Sequence, residues 1–557
     1  MFDLLIQNAR ICDGTGRPSF SGTVGVEGGR IAYIGNEARH ASGQKIDAEG
    51  LVLAPGFIDP HTHYDAQVAW DPLLTPSPWH GVTTVVMGNC GVGVAPVKPE
   101  ARDVLLHDLV NIEDLDYDVM KAGLDWQWES FPEYMDFLDR RHLGINVACL
   151  MAFTPLRHYV MGEAALERRA APDEIVTMQR LLKEAVEQGA FGFSTSYMFR
   201  HIGYQGRPLA CRNAAGDELA ALCHALRDVG RGAIQIVLNS GGYDLIADED
   251  VELLRMLTRE SGRPVTWLAL FAREGEPEFH QKTIDKMGPL LERAVPQVSP
   301  RPLLIQDTLK RPFEFASLPC WKQVLNRSRE EQIAIYRQEG FRAAFLQDLE
   351  GDPWDEVWNR IRVLDVGRSE LEPYCHKTIS EIARSEGKEP IAVYLDIGIA
   401  DGLKTRFQVA AFNYDIEGVE RLVTQDKFMI GLGDGGAHLQ MLCDAGYATA
   451  VLQLWVRERH ALTLEKAVQK LTSVPAALYG IADRGIVAEG KVADLVLFDP
   501  EKVVSRTPNF VSDFPLNSRR LVAEAEGVVA TFVAGKKLYD RGKHTGEMPG
   551  RVLRSYQ

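Results

Sequence analysis

Short apolar runs punctuated by glycine open the chain. LLIQNARI, TVGVEGGRIAYIG and LVLAPGF have the length and alternation of strands, and they predict a small β-structure over residues 1–55. GIVAEGKVADLVLFDP and EGVVATFVAGKKLYDRG repeat that texture near the other end. The two β-rich segments, 1–55 and 485–557, are expected to form one small β-sandwich domain, which brings the chain ends near each other.

Residues 56–484 alternate differently. GVTTVVMGN, INVACLMAF, GAFGFSTS, GAIQIVLNS, PVTWLALF and KFMIGLGD are apolar runs of strand length. PDEIVTMQRLLKEAVEQ and GDELAALCHALRDVG place Leu, Val and Ala at i, i+3, i+4 spacing, as a helix with one buried face requires. Strand then helix, repeated this often, predicts an α/β fold with a closed (β/α)8 TIM-like barrel. A doubly wound sheet is the alternative, weakened because no GxGxxG or GxxxxGK[ST] loop follows the first strand. Residues 270–400 break the rhythm with prolines, Trp321, Trp354, Trp358 and helical segments such as SREEQIAIYRQEGFRAAFL. That stretch is expected to be an insertion over the barrel mouth. Its aromatic residues form either an apolar substrate lid or a small core of their own.

Length changes little in this picture: 557 residues suit one large barrel with accessory parts. With 45% hydrophobic and 25% charged residues the composition is globular. A net charge of −16 disfavours nucleic acid and anionic membranes as partners. The opening MFDLLIQNARICDGTG lacks a basic region ahead of an apolar run, so it does not read as a signal peptide. No apolar stretch reaches the ~18 residues of a spanning helix. Eight cysteines are scattered without CxxC spacing, which suggests reduced thiols and a cytoplasmic location. A small-molecule substrate is the expected partner, and an assembly of identical chains stays open.

Three motifs carry candidate chemistry. In PGFIDPHTHYD, His61 and His63 are two apart, so on a strand their imidazoles share a face and a divalent ion. The bland alternative is a pair of surface histidines in a turn. GVTTVVMGNCG is a β-branched run with Cys90 just past its end, placed to bind zinc as a thiolate or to pack as an inert thiol. In KFMIGLGDGGAH an apolar strand ends at Asp434, before two glycines that permit close backbone approach. A carboxylate there contacts a metal and takes a proton from water, or merely makes an Asp-Gly turn. His438 either lines the site or sits in the loop.

In this order the motifs resemble the amidohydrolase superfamily, and GKVADLVLFDP agrees. VMGNCG, RHYVMG and GAFGFSTS are similar to its N-acyl-D-amino-acid deacylase branch. The resemblance implies a metal-dependent hydrolase of an amide or cyclic amide, acting on carbon–nitrogen bonds other than peptide bonds. His61 and His63 match first-strand metal ligands, Cys90 matches the cysteine that replaces a carboxylated lysine, and Asp434 matches the metal-contacting general base. Members also carry a histidine on the fifth strand and another on the sixth, yet GAIQIVLNS and PVTWLALF contain neither. Phe153 and Thr154 stand where Gly-His is common. One zinc ion is therefore expected rather than two, with another first-row divalent metal able to replace it. His201 is the candidate substitute ligand or substrate contact, and Arg157, Tyr197 and Asn239 are candidates for gripping a substrate carboxylate or carbonyl. Lactone hydrolysis, a non-hydrolytic cyclisation or dehydration, and a metal-free binding barrel are the competing readings.

Overall fold

Gly56 is where the chain leaves one β-structure and enters another. Val52–Pro55 lies in a sheet shared by both chain ends, and Phe57–Asp59 begins a separate parallel ladder. A Cβ at position 56 would lie 2.2 Å from the Thr83 side chain, so only glycine fits this transfer point. The computed structural model describes residues 1–36, 42–242, 244–273, 275–310, 315, 318–324, 327–350 and 357–556. They divide into two units, Met1–Arg301 with Asp415–Gln557, and Pro302–Tyr414.

In the first unit the chain ends build one nine-stranded mixed sheet together with two separate two-stranded ladders. Phe2–Ile11 pairs in antiparallel fashion with Phe20–Glu27 and in parallel with Ser42–Asp47 and Val52–Pro55. Val52–Pro55 then pairs antiparallel with Leu495–Phe498, Val52 facing Phe498, which joins the far end of the sequence to the near one. Leu4, Ile6, Val24, Leu53, Leu495 and Phe532 fill the core of this sheet.

The remainder of the unit supplies eight parallel strand segments: β1 (Phe57–Asp59), β2 (Val82–Met87), β3 (Asn146–Cys149 continuing as Met151–Ala152), β4 (Gly192–Ser196), β5 (Ala233–Val237), β6 (Val265–Leu268), β7 (Ala294–Val298) and β8 (Met429–Ile430). β1 to β3 form one ladder and β3 to β8 the other, each strand hydrogen-bonded to the next. The ends of β8 and β1 are also joined, through a parallel Thr62–Gly435 bridge and a 2.7 Å bond from His63 N to Gly435 O. Inner and outer faces alternate along β5 and β6. Ile234 and Ile236 of β5, and Val265 and Trp267 of β6, enter the large apolar cluster packed with the helices. Gln235 and Thr266 between them therefore face the other way. The expected helices run Pro172–Glu187, with proline at its first position, and Gly216–Val229, closed by Gly230 at φ +75°.

β7 is absent from the hydropathy reading, because AVPQV interrupts its apolar run with Pro296 and Gln297 and falls inside the irregular stretch from residue 270. In sequence, Pro302–Tyr414 lies between β7 and β8. This second unit carries a three-stranded antiparallel sheet (Leu303–Asp307, Arg406–Phe412, Ile361–Asp365) and its own core. Trp321 is fully buried in that core, its ring centroid 5.1 Å from Phe345 and 5.4 Å from Phe341, and Trp358 packs against Phe315 and Tyr394. These two tryptophans belong to a core of the unit's own; Trp354 lies outside the described residues. No described helix is long and apolar enough to cross a membrane.

Candidate metal centre

The strand termini deliver four side chains to one place. β1 stops at Asp59, whose carboxylate accepts a 3.1 Å bond from His61 N and turns the backbone into the histidine pair. His61 and His63 are both buried, their ring centroids 5.2 Å apart at 62°. Beyond β2, Asn89 donates to Thr62 O and Val86 O, at 3.2 and 2.9 Å, and holds the next turn against the first. Cys90 follows with φ +58°, a left-handed conformation that costs a residue with a Cβ. That strain is held by cross-strand bonds: Cys90 N donates to Gln235 Oε1 at 2.7 Å and Gly91 N to Ser194 Oγ at 2.9 Å, while Ser194 Oγ donates to Gly88 O. The result aims Cys90 Sγ at His61 Nε2, 3.3 Å away.

Asp434 arrives from β8, its backbone N donating to His61 O at 3.1 Å and its own φ at +41°. Its Oδ1 lies 3.5 Å from His61 Nε2. The two glycines after it do allow a close approach, since a Cβ at Gly436 would meet His63 O at 2.6 Å.

His61 Nδ1 faces Gln297 Oε1 at 2.9 Å. A carbonyl oxygen only accepts, so Nδ1 carries the proton and the Nε2 lone pair faces Cys90 and Asp434. Burial holds His61 down to about 3, and the Gln297 bond offsets this only in part. His63 is also held well below the usual range, by burial first and then by the neighbouring His61, His438 and His201. Both imidazoles are thus neutral. The Cys90 thiol is pushed up by burial and then by the carboxylates of Glu113 and Asp434. Burial, followed by Asp444, raises Asp434 to about 7.

The donor set fits a divalent first-row ion. Ligand atoms of His61, His63 and Cys90 lie within 4.8 Å of one another, and Asp434 Oδ1 adds an oxygen beside His61 Nε2. Nitrogen, sulfur and carboxylate donors in one buried cluster suit zinc.

Glu113 has no place in the motifs, yet it lies against this cluster. It ends the helix Arg102–Glu113 and is buried, with Oε1 3.4 Å from His63 Nδ1 and Oε2 3.8 Å from His438 Nε2. Its backbone carbonyl also accepts a 2.6 Å bond from His438 N. The sequence does hold a signal: Leu105, Leu109 and Glu113 are spaced i, i+4, i+8, so a carboxylate occupies the apolar face of an amphipathic helix.

The remaining candidates divide. His201, just past β4, bonds Ser196 Oγ through Nδ1 at 2.9 Å, and burial holds both it and His438 at about 4. His201 and His438 share the electrostatic neighbourhood of His63 but stand outside its three-residue donor group. Arg157 is fully buried in an ion pair with Glu218 and donates to Arg168 O at 2.9 Å, so its charge is already compensated. Tyr197 donates its hydroxyl to Ala214 O at 3.2 Å. Asn239 is exposed, its backbone N bonded to Asp250.

A model of the amidohydrolase family matches residues 44–539. D-aminoacylase of Alcaligenes xylosoxydans xylosoxydans is 28% identical over 554 residues, covering 99% of this chain and 97% of the relative. N-acyl-D-aspartate deacylase of the same organism is 29% identical over 559 residues, with 99% and 95% covered. Among solved structures, D-aminoacylase, described with a binuclear metal centre showing one-metal activation and second-metal attenuation, superposes over 100% of both chains with a TM-score of 0.65 and 25% identity. N-acyl-D-glutamate deacylase from Bordetella bronchiseptica, complexed with zinc and a phosphonate mimic of the tetrahedral intermediate, gives 0.64 at 24% identity over 99% of each chain.

Proposed function

The chain belongs to the amidohydrolase family, and from that premise we propose that it hydrolyses the C–N bond of an N-acyl-D-amino acid using one zinc ion. The observation that carries this reading is the buried group of His61, His63 and Cys90, with Asp434 Oδ1 3.5 Å from His61 Nε2. Eight parallel strand segments whose first and last ends are bridged support a closed (β/α)8 barrel, with the four side chains all at strand ends.

His61 Nε2, a nitrogen of His63, Cys90 Sγ and Asp434 Oδ1 would hold the ion. When bound, a divalent ion of this kind supplies Lewis acidity toward a carbonyl and a water. Gln297 keeps the proton on His61 Nδ1 and so leaves Nε2 free to donate its lone pair. The bonds that Cys90 N and Gly91 N donate to Gln235 and Ser194 keep Cys90 aimed at the same point. Asp434, raised to about 7 by burial and then by Asp444, takes the proton of the attacking water and returns it to the leaving nitrogen. The amide thus becomes a carboxylate and a free amine. β5 and β6 contribute Gln235 and Thr266 at their inward positions, which is the reason for favouring one ion over two.

Zinc-loaded protein assayed for free amine against matched N-acetyl-D- and N-acetyl-L-amino acids tests the reading. Amine release from the D series, absent after chelation and restored by zinc, is the expected result. Release from neither series, with hydrolysis of a lactone panel instead, would overturn it.

A further inference from the structure

Three buried polar atoms beside the metal cluster have no hydrogen-bond partner among the described residues: Gln235 Nε2, Thr266 Oγ1 and Gln297 Nε2. All three residues are 0% exposed. They sit on the successive strands β5, β6 and β7, and Gln235 and Thr266 are direct register partners. Neighbouring strands are about 5 Å apart, so these two side chains stand side by side.

The glutamine oxygens are already committed. Gln235 Oε1 accepts from Cys90 N, and Gln297 Oε1 accepts from the His61 ring. Each amide therefore grips one residue of the cluster with its oxygen and leaves its NH2 group unmatched. A buried donor left this way costs about 1–3 kcal/mol. Three in succession weaken the fold, and local rules are broken in this manner where a site awaits its ligand. An amide NH2 has no lone pair for a cation, so the two glutamine nitrogens call for an acceptor oxygen, to which the Thr266 hydroxyl can also donate.

We infer that Gln235 Nε2, Thr266 Oγ1 and Gln297 Nε2 form an uncharged donor pocket for the oxygen of the scissile acyl group as it becomes tetrahedral, an assignment that rests on the hydrolase reading above. Charge develops on that oxygen during amide hydrolysis, and fixed donors aimed at it in a water-poor site stabilise it without reorganising. The pocket takes oxyanions of tetrahedral carbon or phosphorus, and it occupies strand positions where a second cation would need ligands.

The test uses the zinc-loaded full chain and one probe, the methylphosphonyl derivative of a D-amino acid cleaved by the wild type, or of D-leucine if none is cleaved. Thr266→Val removes the hydroxyl at nearly constant volume, Thr266→Ser retains it, and Gln235→Glu keeps the oxygen that holds Cys90 while replacing the NH2 donor. Thr266→Val and Gln235→Glu are expected to weaken the phosphonate about tenfold or more, as loss of a hydrogen bond to a charged group does. Thr266→Ser should bind as wild type, and zinc per chain should stay unchanged in Thr266→Val. Thr266→Val should also melt no lower than wild type, a result that a purely structural role for Thr266 would not give. Unchanged phosphonate affinity in Thr266→Val at unchanged zinc content would overturn the pocket and leave the hydrolase reading standing. A wild-type chain that binds neither zinc nor phosphonate would overturn both.

Discussion

Gln297 Oε1 lies 2.9 Å from His61 Nδ1, and this one contact decides which nitrogen of His61 faces the cluster. An outer partner of this kind fixes ring orientation and ligand basicity together. Gln297→Leu is expected to lower zinc affinity by about ten- to a hundredfold. Gln297→Glu, which keeps an acceptor at the same position, should retain most of it. Competition with a chelator of known affinity measures both.

Glu113 lies beside His63 without a hydrogen bond between them, Oε1 3.4 Å from Nδ1, and its Oε2 is 3.8 Å from His438 Nε2. Glu113→Gln should reduce zinc affinity about tenfold or more through loss of the carboxylate behind His63. The signature of a positioning role is a fall in kcat that excess zinc partly restores, with KM little changed. A fall that zinc does not touch would mark a different role.

Arg157 and Glu218 form a buried ion pair. Removing one partner of such a pair leaves the other charge uncompensated and typically costs about 3–5 kcal/mol. Arg157→Leu should therefore lower the urea midpoint markedly while zinc per chain stays at the wild-type value in the folded protein. An unchanged midpoint with a raised KM would instead return Arg157 to substrate binding.

His80 is fully buried between Thr449 and the carbonyl of Ala523, and burial holds it at about 4 against an ordinary value of 6.5. Between pH 6.5 and 4 the unfolded chain binds this proton and the folded chain does not, so stability falls as pH falls across that window. A shift of this size corresponds to about 3 kcal/mol at the acid end. His80→Gln should flatten the dependence of the urea midpoint on pH between those limits.

The parts of the site that were legible in the sequence are those in which chemistry and strand ends coincide. The His61–His63 spacing, the β-branched run before Cys90 and the glycines after Asp434 each tie a side chain of the cluster to a strand terminus within about ten residues. Glu113 and Gln297 act on that cluster from distant segments, and nothing local marks their partners. β7 escaped because a strand buried on both faces next to a polar site need not be continuously apolar, and AVPQV is not. Arg157 differs for the opposite reason, since a cation in RHYVMG reads as a ligand grip in the sequence, where its buried counter-charge, 61 residues away, is not apparent. The lack of histidine in GAIQIVLNS and PVTWLALF was visible in the sequence, but the unmatched atoms of Gln235 and Thr266 exist only in three dimensions.

Metal content of the purified chain, by elemental analysis of wild type and of the His61→Ala, His63→Ala double variant, tests the central claim most directly. One zinc per wild-type chain, lost in the double variant while the fold persists by circular dichroism, is the predicted result. No metal in wild type after zinc reconstitution, or equal metal in both proteins, would contradict it.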